Sequence, residues 1–336
     1  MTPANAGGNA PGWSKQDAMK VVLTKTEGYK HFGLLDDLEI PGLELVKTTS
    51  PDELAAEIGD AEVFYGFPTA DVLAQGKALK WIQSPSAGVN FLQNLPELVE
   101  NDILLTNTRG AHGPSIGEHA FALLFALTRH LDRCFVAQGE RRWAWADIYY
   151  TSHEIYQRTM GIIGYGAIGR SIAQRARGFE MNVLAVDAHP DPAAPFVDDV
   201  WGMDRLSDLL RQSDVVVVSA PLTDASHHLL GEGELALMKP SAYLIVVSRG
   251  GIVEENALAA ALTSGAIAGA GIDVTEVEPL SADSPLWDAP NLIISPHTAG
   301  DSTEKEQRCV QILRENLIRY AAGEPLVNEV DKARGY

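Results

Sequence analysis

The second half of this chain carries the pattern that most restricts its fold. Six short runs, GIIG (161–164), NVLAVD (182–187), DVVVVS (214–219), AYLIVVS (242–248), AIAGAGID (266–273) and NLIIS (291–295), are near-continuously apolar and are separated by longer segments of helical period. A strand that is apolar at odd and even positions alike has to bury both faces, which a parallel sheet with helices on each side provides. The first half repeats the alternation on a smaller scale through KVVLT (20–24), LELVK (43–47), EVFYG (62–66), KWIQS (80–84) and DILLT (102–106). These runs predict a second open α/β sheet.

Between the two series, Pro114-Ser115 opens a predicted long helix. Ser115 and Glu118 stand at capping-box spacing, and Ile116, Ala120, Leu123, Leu124, Leu127 and Leu131 form its apolar stripe. After Pro296 the chain turns helical again through EQRCVQILRENLIRYAAGE, a segment expected to pack back on the first sheet. No repeat of solenoid period is present. At 336 residues the chain suits two domains, each with its own core and with a cleft between them. The expected boundaries are a flexible tail at 1–18, a substrate-binding domain at 19–107 plus 300–336, and a nucleotide-binding domain at 108–299.

Gly164, Gly166 and Gly169 form GxGxxG directly after a strand and at the opening of a helix. In that setting the first glycine permits the tight turn, the second lets the backbone approach a pyrophosphate, and the third lets helix and strand pack closely. The helix start, with the amides around Ala167 and Ile168, offers unpaired donors and a positive dipole end to a diphosphate. Asp187 closes the next strand, where a carboxylate accepts hydrogen bonds from the adenosine ribose and repels a 2′-phosphate. No arginine or lysine follows in AHPDP, so the pattern favours NAD over NADP. The fold class is therefore α/β, two Rossmann-like or flavodoxin-like doubly wound domains.

Charge narrows the partners. With 26 Lys+Arg against 45 Asp+Glu the formal net charge is -19, which disfavours nucleic acid and anionic membranes. No apolar run reaches the length of a membrane span, and the opening residues lack the pattern of a signal peptide, so a soluble cytoplasmic protein is expected. Cys134 and Cys309 form no CxxC pair and are expected to be buried structural thiols. None of the nine histidines sits in HExxH or beside a cysteine cluster, and His227-His228 lies in a polar turn, so no metal is expected.

In open α/β sheets, ligands bind beyond the carboxyl ends of the strands. Arg249 follows AYLIVVS, Glu278 follows GAGID within VTEVEPL, and His297 follows NLIISP. With SAGVN (86–90), GEHA (117–120), GIIGYGAIGR, APLT (220–223), SRGGIVEENAL (248–258), GIDVTEVEPL (271–280) and SPHTAG (295–300), these residues make the chain resemble the D-isomer-specific 2-hydroxyacid dehydrogenases. That family includes glyoxylate/hydroxypyruvate reductases, D-lactate dehydrogenases and phosphoglycerate dehydrogenases. The resemblance runs from about Val63 to the C-terminus.

The resemblance implies NAD-dependent interconversion of a small 2-keto acid and a D-2-hydroxy acid. It makes Arg249 the substrate arginine, Glu278 the acidic partner and His297 the acid/base. A planar guanidinium can hold a carboxylate and polarise the adjoining carbonyl. Imidazolium can protonate the oxygen that gains charge as hydride arrives, and a neighbouring carboxylate favours that charged form. The resemblance also implies that Asp273 meets the nicotinamide amide, that Ala220 and Pro221 border the cofactor, and that Ala87 and Gly88 give backbone amides to the substrate. It implies a homodimer through the 115–138 helix and the aromatic WAWADIYY segment after it.

The chain departs from the family pattern at Ser219 and Val246, where histidine and asparagine are frequent, and at Arg109, where proline is common. Arg109 leaves room for a second anionic contact, as with a diacid or phosphorylated substrate. Two other readings of the fold are a phosphite-type hydride donor and a nucleotide-sensing corepressor. The complete Arg-Glu-His set argues against the corepressor, and Glu278 argues against formate-type enzymes, which pair their histidine with glutamine.

Overall fold

The computed structural model describes residues 19–25 and 29–335; the expected tail at 1–18 lies outside them. The chain divides into two compact units, one running to His112 and resuming at Ser302, the other spanning Gly113–Asp301. These limits lie a few residues beyond the expected ones. They coincide with the starts of two helices, Gly113–Thr128 and Thr303–Ala322 with its N-cap Ser302.

The first unit is built on five parallel strands: β1 (Met19–Thr24), β2 (Leu43–Thr48), β3 (Val63–Tyr65), β4 (Trp81–Gln83) and β5 (Leu104–Thr106). Their order, β2-β1-β3-β4-β5, is the flavodoxin-like 2-1-3-4-5 arrangement. One face of the sheet, with Val21, Leu23, Val63, Tyr65 and Trp81, packs against Val310, Leu313, Leu317 and Tyr320 of the last helix. The other face, with Val22, Phe64, Ile82 and Leu105, forms a separate core. Side chains alternate between sheet faces, so both positions of each run have to be apolar. Each fully buried Leu or Val contributes about 1.5–3 kcal/mol relative to exposure.

The second unit holds β6 (Thr159–Ile163), β7 (Asn182–Val186), β8 (Asp199–Trp201), β9 (Val215–Val218), β10 (Tyr243–Val246), β11 (Gly269–Ile272) and β12 (Leu292–Ile294). All pair in parallel, in the order β12-β11-β10-β9-β6-β7-β8. This is the Rossmann order with one added strand, and its direction switches between β6 and β9. Alternate residues again separate: Ile163, Val216, Val218, Leu244 and Val246 enter one core, and Ile162, Val215, Val217 and Ile245 the other.

Several expectations need correction. Strand β8 was not foreseen, because DVW is short and begins with an exposed aspartate. The central helix starts at Gly113, so Ser115 sits inside it and its hydroxyl donates to Gly300 O at 3.3 Å. Glu118 meets Arg175 at 3.0 Å. The stripe Ile116, Ala120, Leu123, Leu124 and Leu127 is buried, but Leu131 is 39% exposed and opens a new helix. Chain direction changes at His130, whose φ is +53°. Cys309 is buried as expected, whereas Cys134 is only half-buried. Among the described residues no helix is long and apolar enough to cross a membrane.

Candidate functional site

At the switch point of the second unit, β6 runs into Gly164, whose φ is +88°. A Cβ at Gly164 would lie 2.5 Å from Ala220 Cα, so only glycine lets the turn pass beneath the end of β9. Ser219 locks this crossing, its hydroxyl donating to Gly164 O at 2.6 Å. The serine that departs from the family pattern thus braces the first glycine.

Gly166 is the N-cap of the Ala167–Gly178 helix, with no side-chain cap and no acid in the first turn. A Cβ at Gly166 would meet nothing within 4 Å. Open space beside uncapped amides is what a diphosphate requires, so these residues fit a dinucleotide.

In the structure Asp187 holds a turn. Its carboxylate accepts Tyr165 N at 2.6 Å and His189 N at 2.8 Å, tying the glycine turn to the segment after β7. The Tyr165 hydroxyl donates to Pro195 O in the same segment, and burial pushes its pKa up to about 12. Arg170 reaches this segment from the helix, 3.7 Å from Asp191. A cation therefore stands beside AHPDP although the segment itself contains none. Of the remaining cofactor candidates, Ile168 and Ala220 are half-buried and Pro221 is exposed.

Arg249, Glu278 and His297 follow β10, β11 and β12, three neighbouring strands of the sheet. The His297 Nδ1 lies 2.6 Å from Glu278 Oε2. A carboxylate oxygen only accepts, so Nδ1 carries the proton in this contact and Nε2 is left to gain or lose one. Glu278 Oε1 in turn accepts Thr275 N at 3.1 Å. His297 has φ +56°, a left-handed conformation uncommon for a residue with a Cβ. It is held there by its amide, which donates to Asp273 O at 2.8 Å.

Arg249 Nη1 donates to Ser248 O at 2.7 Å, and among the described residues Arg249 forms no ion pair. A Cβ on Gly250 would fall 2.0 Å from Thr275 C and O, so the arginine turn presses directly on the segment leading to Glu278. A guanidinium with no carboxylate partner among the described residues can bind an anion, and an imidazole–carboxylate pair can serve proton transfer.

Asp273 is almost fully enclosed, with a side chain 1% exposed. Its carboxylate accepts Ser295 Oγ at 2.6 Å, Thr298 N at 3.0 Å and Ala299 N at 2.8 Å. In this arrangement it shapes the turn that carries His297. His119 joins the network through Ser295 Oγ at 2.8 Å. In the sequence, His119 and Ser295 carry no signal beyond membership of the GEHA and SPHTAG motifs.

In the first unit the Gly88 amide donates to Ser86 Oγ at 3.2 Å, and the Ala87 carbonyl accepts from Asn107 at 3.0 Å. The expected substrate donor at Gly88 is therefore engaged locally. Arg109 is exposed.

The comparisons agree with this architecture. Residues 121–299 match the family model for the D-isomer specific 2-hydroxyacid dehydrogenase, NAD binding domain. The glyoxylate reductase of Korarchaeum cryptofilum is 36% identical over 330 residues, covering 93% of this chain and 94% of the relative. The glycerate dehydrogenase of Methylorubrum extorquens is 36% identical, covering 84% and 90% respectively. A D-isomer specific 2-hydroxyacid dehydrogenase family protein from Aeromonas salmonicida superposes with a TM-score of 0.81 at 33% identity, over 94% of this chain and all of that one. The chain belongs to the D-isomer-specific 2-hydroxyacid dehydrogenase family. It is an oxidoreductase that works with a nicotinamide cofactor.

Proposed function

We propose that the protein reduces a small 2-keto acid such as glyoxylate or hydroxypyruvate to the D-2-hydroxy acid, with NADH as the preferred cofactor. The observation that carries this reading is the 2.6 Å His297–Glu278 contact, with Arg249 after the neighbouring strand β10 and without a carboxylate partner among the described residues. The glyoxylate reductase and glycerate dehydrogenase relatives support the substrate class.

In this reading the bound nicotinamide supplies or accepts the hydride. Gly164, Gly166, Ala167, Ile168 and Gly169 hold the diphosphate, Asp187 the ribose, and Ala220, Pro221 and Asp273 border the rest. Arg249 binds the substrate carboxylate in a planar fork and polarises the carbonyl. His297 Nε2 delivers a proton to the carbonyl oxygen as it gains charge, and Glu278 stabilises the imidazolium from Nδ1. In the oxidative direction the same nitrogen takes the proton back. Ala87 and Gly88 belong to the proposal as backbone donors to the substrate carboxylate.

A panel of glyoxylate, hydroxypyruvate and pyruvate, assayed with NADH and with NADPH, tests the reading. Consumption of NADH with at least one of them is expected. Tight NADH binding without turnover on any would favour the nucleotide-sensing alternative. In the same assay Asp187→Ala should weaken NADH and narrow the gap to NADPH by roughly 1.5–3 kcal/mol, the loss of a charged hydrogen bond. Asp187→Asn keeps an acceptor for one of the two loop amides, so it separates lost ribose contact from a loosened turn. An unchanged cofactor ratio in both variants would remove Asp187 from the cofactor site.

The proposal extends to a homodimer. Phe135, Trp143, Trp145, Tyr149 and Tyr150 are 51–91% exposed on consecutive segments after the Gly113–Thr128 helix. Such an aromatic surface suits a second copy. Sedimentation should return twice the 36.2 kDa chain mass; a monomer at micromolar concentration would exclude it.

A further inference from the structure

The polar turn after β9 carries a cluster that the dehydrogenase chemistry does not use. His227 Nε2 lies 3.3 Å from Glu276 Oε1, and His228 Nε2 lies 3.1 Å from Glu276 Oε2. The two rings stack with centroids 3.9 Å apart. One ligand atom from each of the three residues falls within 4.8 Å of the other two. We propose that His227, His228 and Glu276 form a binding site for a divalent transition metal of the zinc class, with a fourth position open to water.

The distances carry this assignment. Tetrahedral zinc, with bonds of about 2.0–2.2 Å, sets its ligand atoms about 3.3–3.5 Å apart. The two histidine–carboxylate edges, 3.3 Å to Oε1 and 3.1 Å to Oε2, are close to that length, so an ion held by both imidazoles takes Glu276 through both oxygens or after a turn of its carboxylate. Two imidazoles and one carboxylate are a borderline donor set that favours zinc, nickel or copper over magnesium and calcium, which prefer oxygen alone.

The backbone under each ligand is fixed. His228 N donates to Gly251 O at 2.7 Å, and Glu276 N donates to Glu255 Oε1 at 2.7 Å. His228 is held at φ +50°. A Cβ on Gly251 would touch His227 Cδ2 at 3.6 Å and Glu276 Cγ at 3.7 Å, so one turn braces two of the three ligands. All three side chains are 39–49% exposed, which leaves an ion free to enter. The metal would join the turn after β9 to the loop that carries Glu278 two residues later. The sequence does not place these three residues together, because Glu276 lies 48 residues beyond His228.

The test is titration of the full chain, stripped with a chelator and free of nicotinamide, with Zn2+ followed by calorimetry. One Zn2+ per chain is expected. Loss of a residue that merely orients a ligand already costs about 10–100-fold in affinity, so Glu276→Gln and His228→Ala should each weaken binding at least about tenfold. His297→Ala should bind as the parent does, which excludes the His297–Glu278 pair as the receptor. Glu276→Gln preserves side-chain size, and an unchanged circular dichroism spectrum shows that it still folds. No binding, binding that survives both ligand substitutions, or binding lost with His297→Ala would each overturn the proposal.

Discussion

His297→Ala should lower keto-acid turnover by roughly 10²–10⁴-fold at every pH, the usual contribution of a positioned acid or base, while NADH binding stays intact. The reason is local. Glu278 engages Nδ1 at 2.6 Å, so only Nε2 can exchange a proton, and among the described residues no other histidine contacts Glu278. The ring does not reach the glycine turn through any hydrogen bond of its own, so removing it leaves Gly164 and its Ser219 lock in place. Stopped-flow hydride transfer beside NADH titration separates the two effects. Parallel loss of NADH affinity would mean that the substitution had disturbed the Asp273 turn instead.

Arg249→Lys should reduce kcat/KM on the order of a hundredfold or more with little change in NADH affinity. Lysine keeps the charge but loses the planar fork that matches a carboxylate and its adjoining carbonyl. It also cannot keep the bond from Nη1 to Ser248 O, 2.7 Å long, that aims the guanidinium. Since Gly250 is pressed against Thr275, the backbone at 249 cannot shift to compensate. Equal loss of NADH affinity would move Arg249 out of the substrate site and into a cofactor or folding role.

The sheets were readable because parallel strands covered on both faces leave long apolar runs such as VVVV at 215–218, all buried. Their order follows from the crossovers, and GxGxxG marked the switch point. β8 escaped because it is three residues long and opens on an exposed Asp199, with Val200 buried in one core and Trp201 only partly buried against the other. The helix start moved because the short-range spacing of Ser115 and Glu118 was outweighed by partners far along the chain, Gly300 and Arg175.

At the site, Arg249, Glu278 and His297 could be picked out as titratable residues at strand ends. What holds them could not. His119 reaches Ser295 across 176 residues, and Ser219 reaches Gly164 across 55. Neither serine has a local pattern that distinguishes it from a solvated hydroxyl. Asp187 and Asp273 were read as cofactor ligands because strand-end aspartates face ligands in such folds. Each also binds backbone amides that shape the neighbouring turn, a demand invisible without coordinates.

The central claim is that His297 and Glu278 act as one proton-transfer unit, and the pH dependence of Glu278→Gln tests it most directly. Reduction needs protonated imidazole and oxidation needs it neutral, so the reductive rate falls with rising pH while the oxidative rate rises. Glutamine can still accept from the ring but carries no charge to favour imidazolium. Measured where chemistry limits the rate, the descending limb of reduction in Glu278→Gln should move to lower pH, with the oxidative limb moving alongside it. A limb that stays in place, or moves to higher pH, would contradict the account.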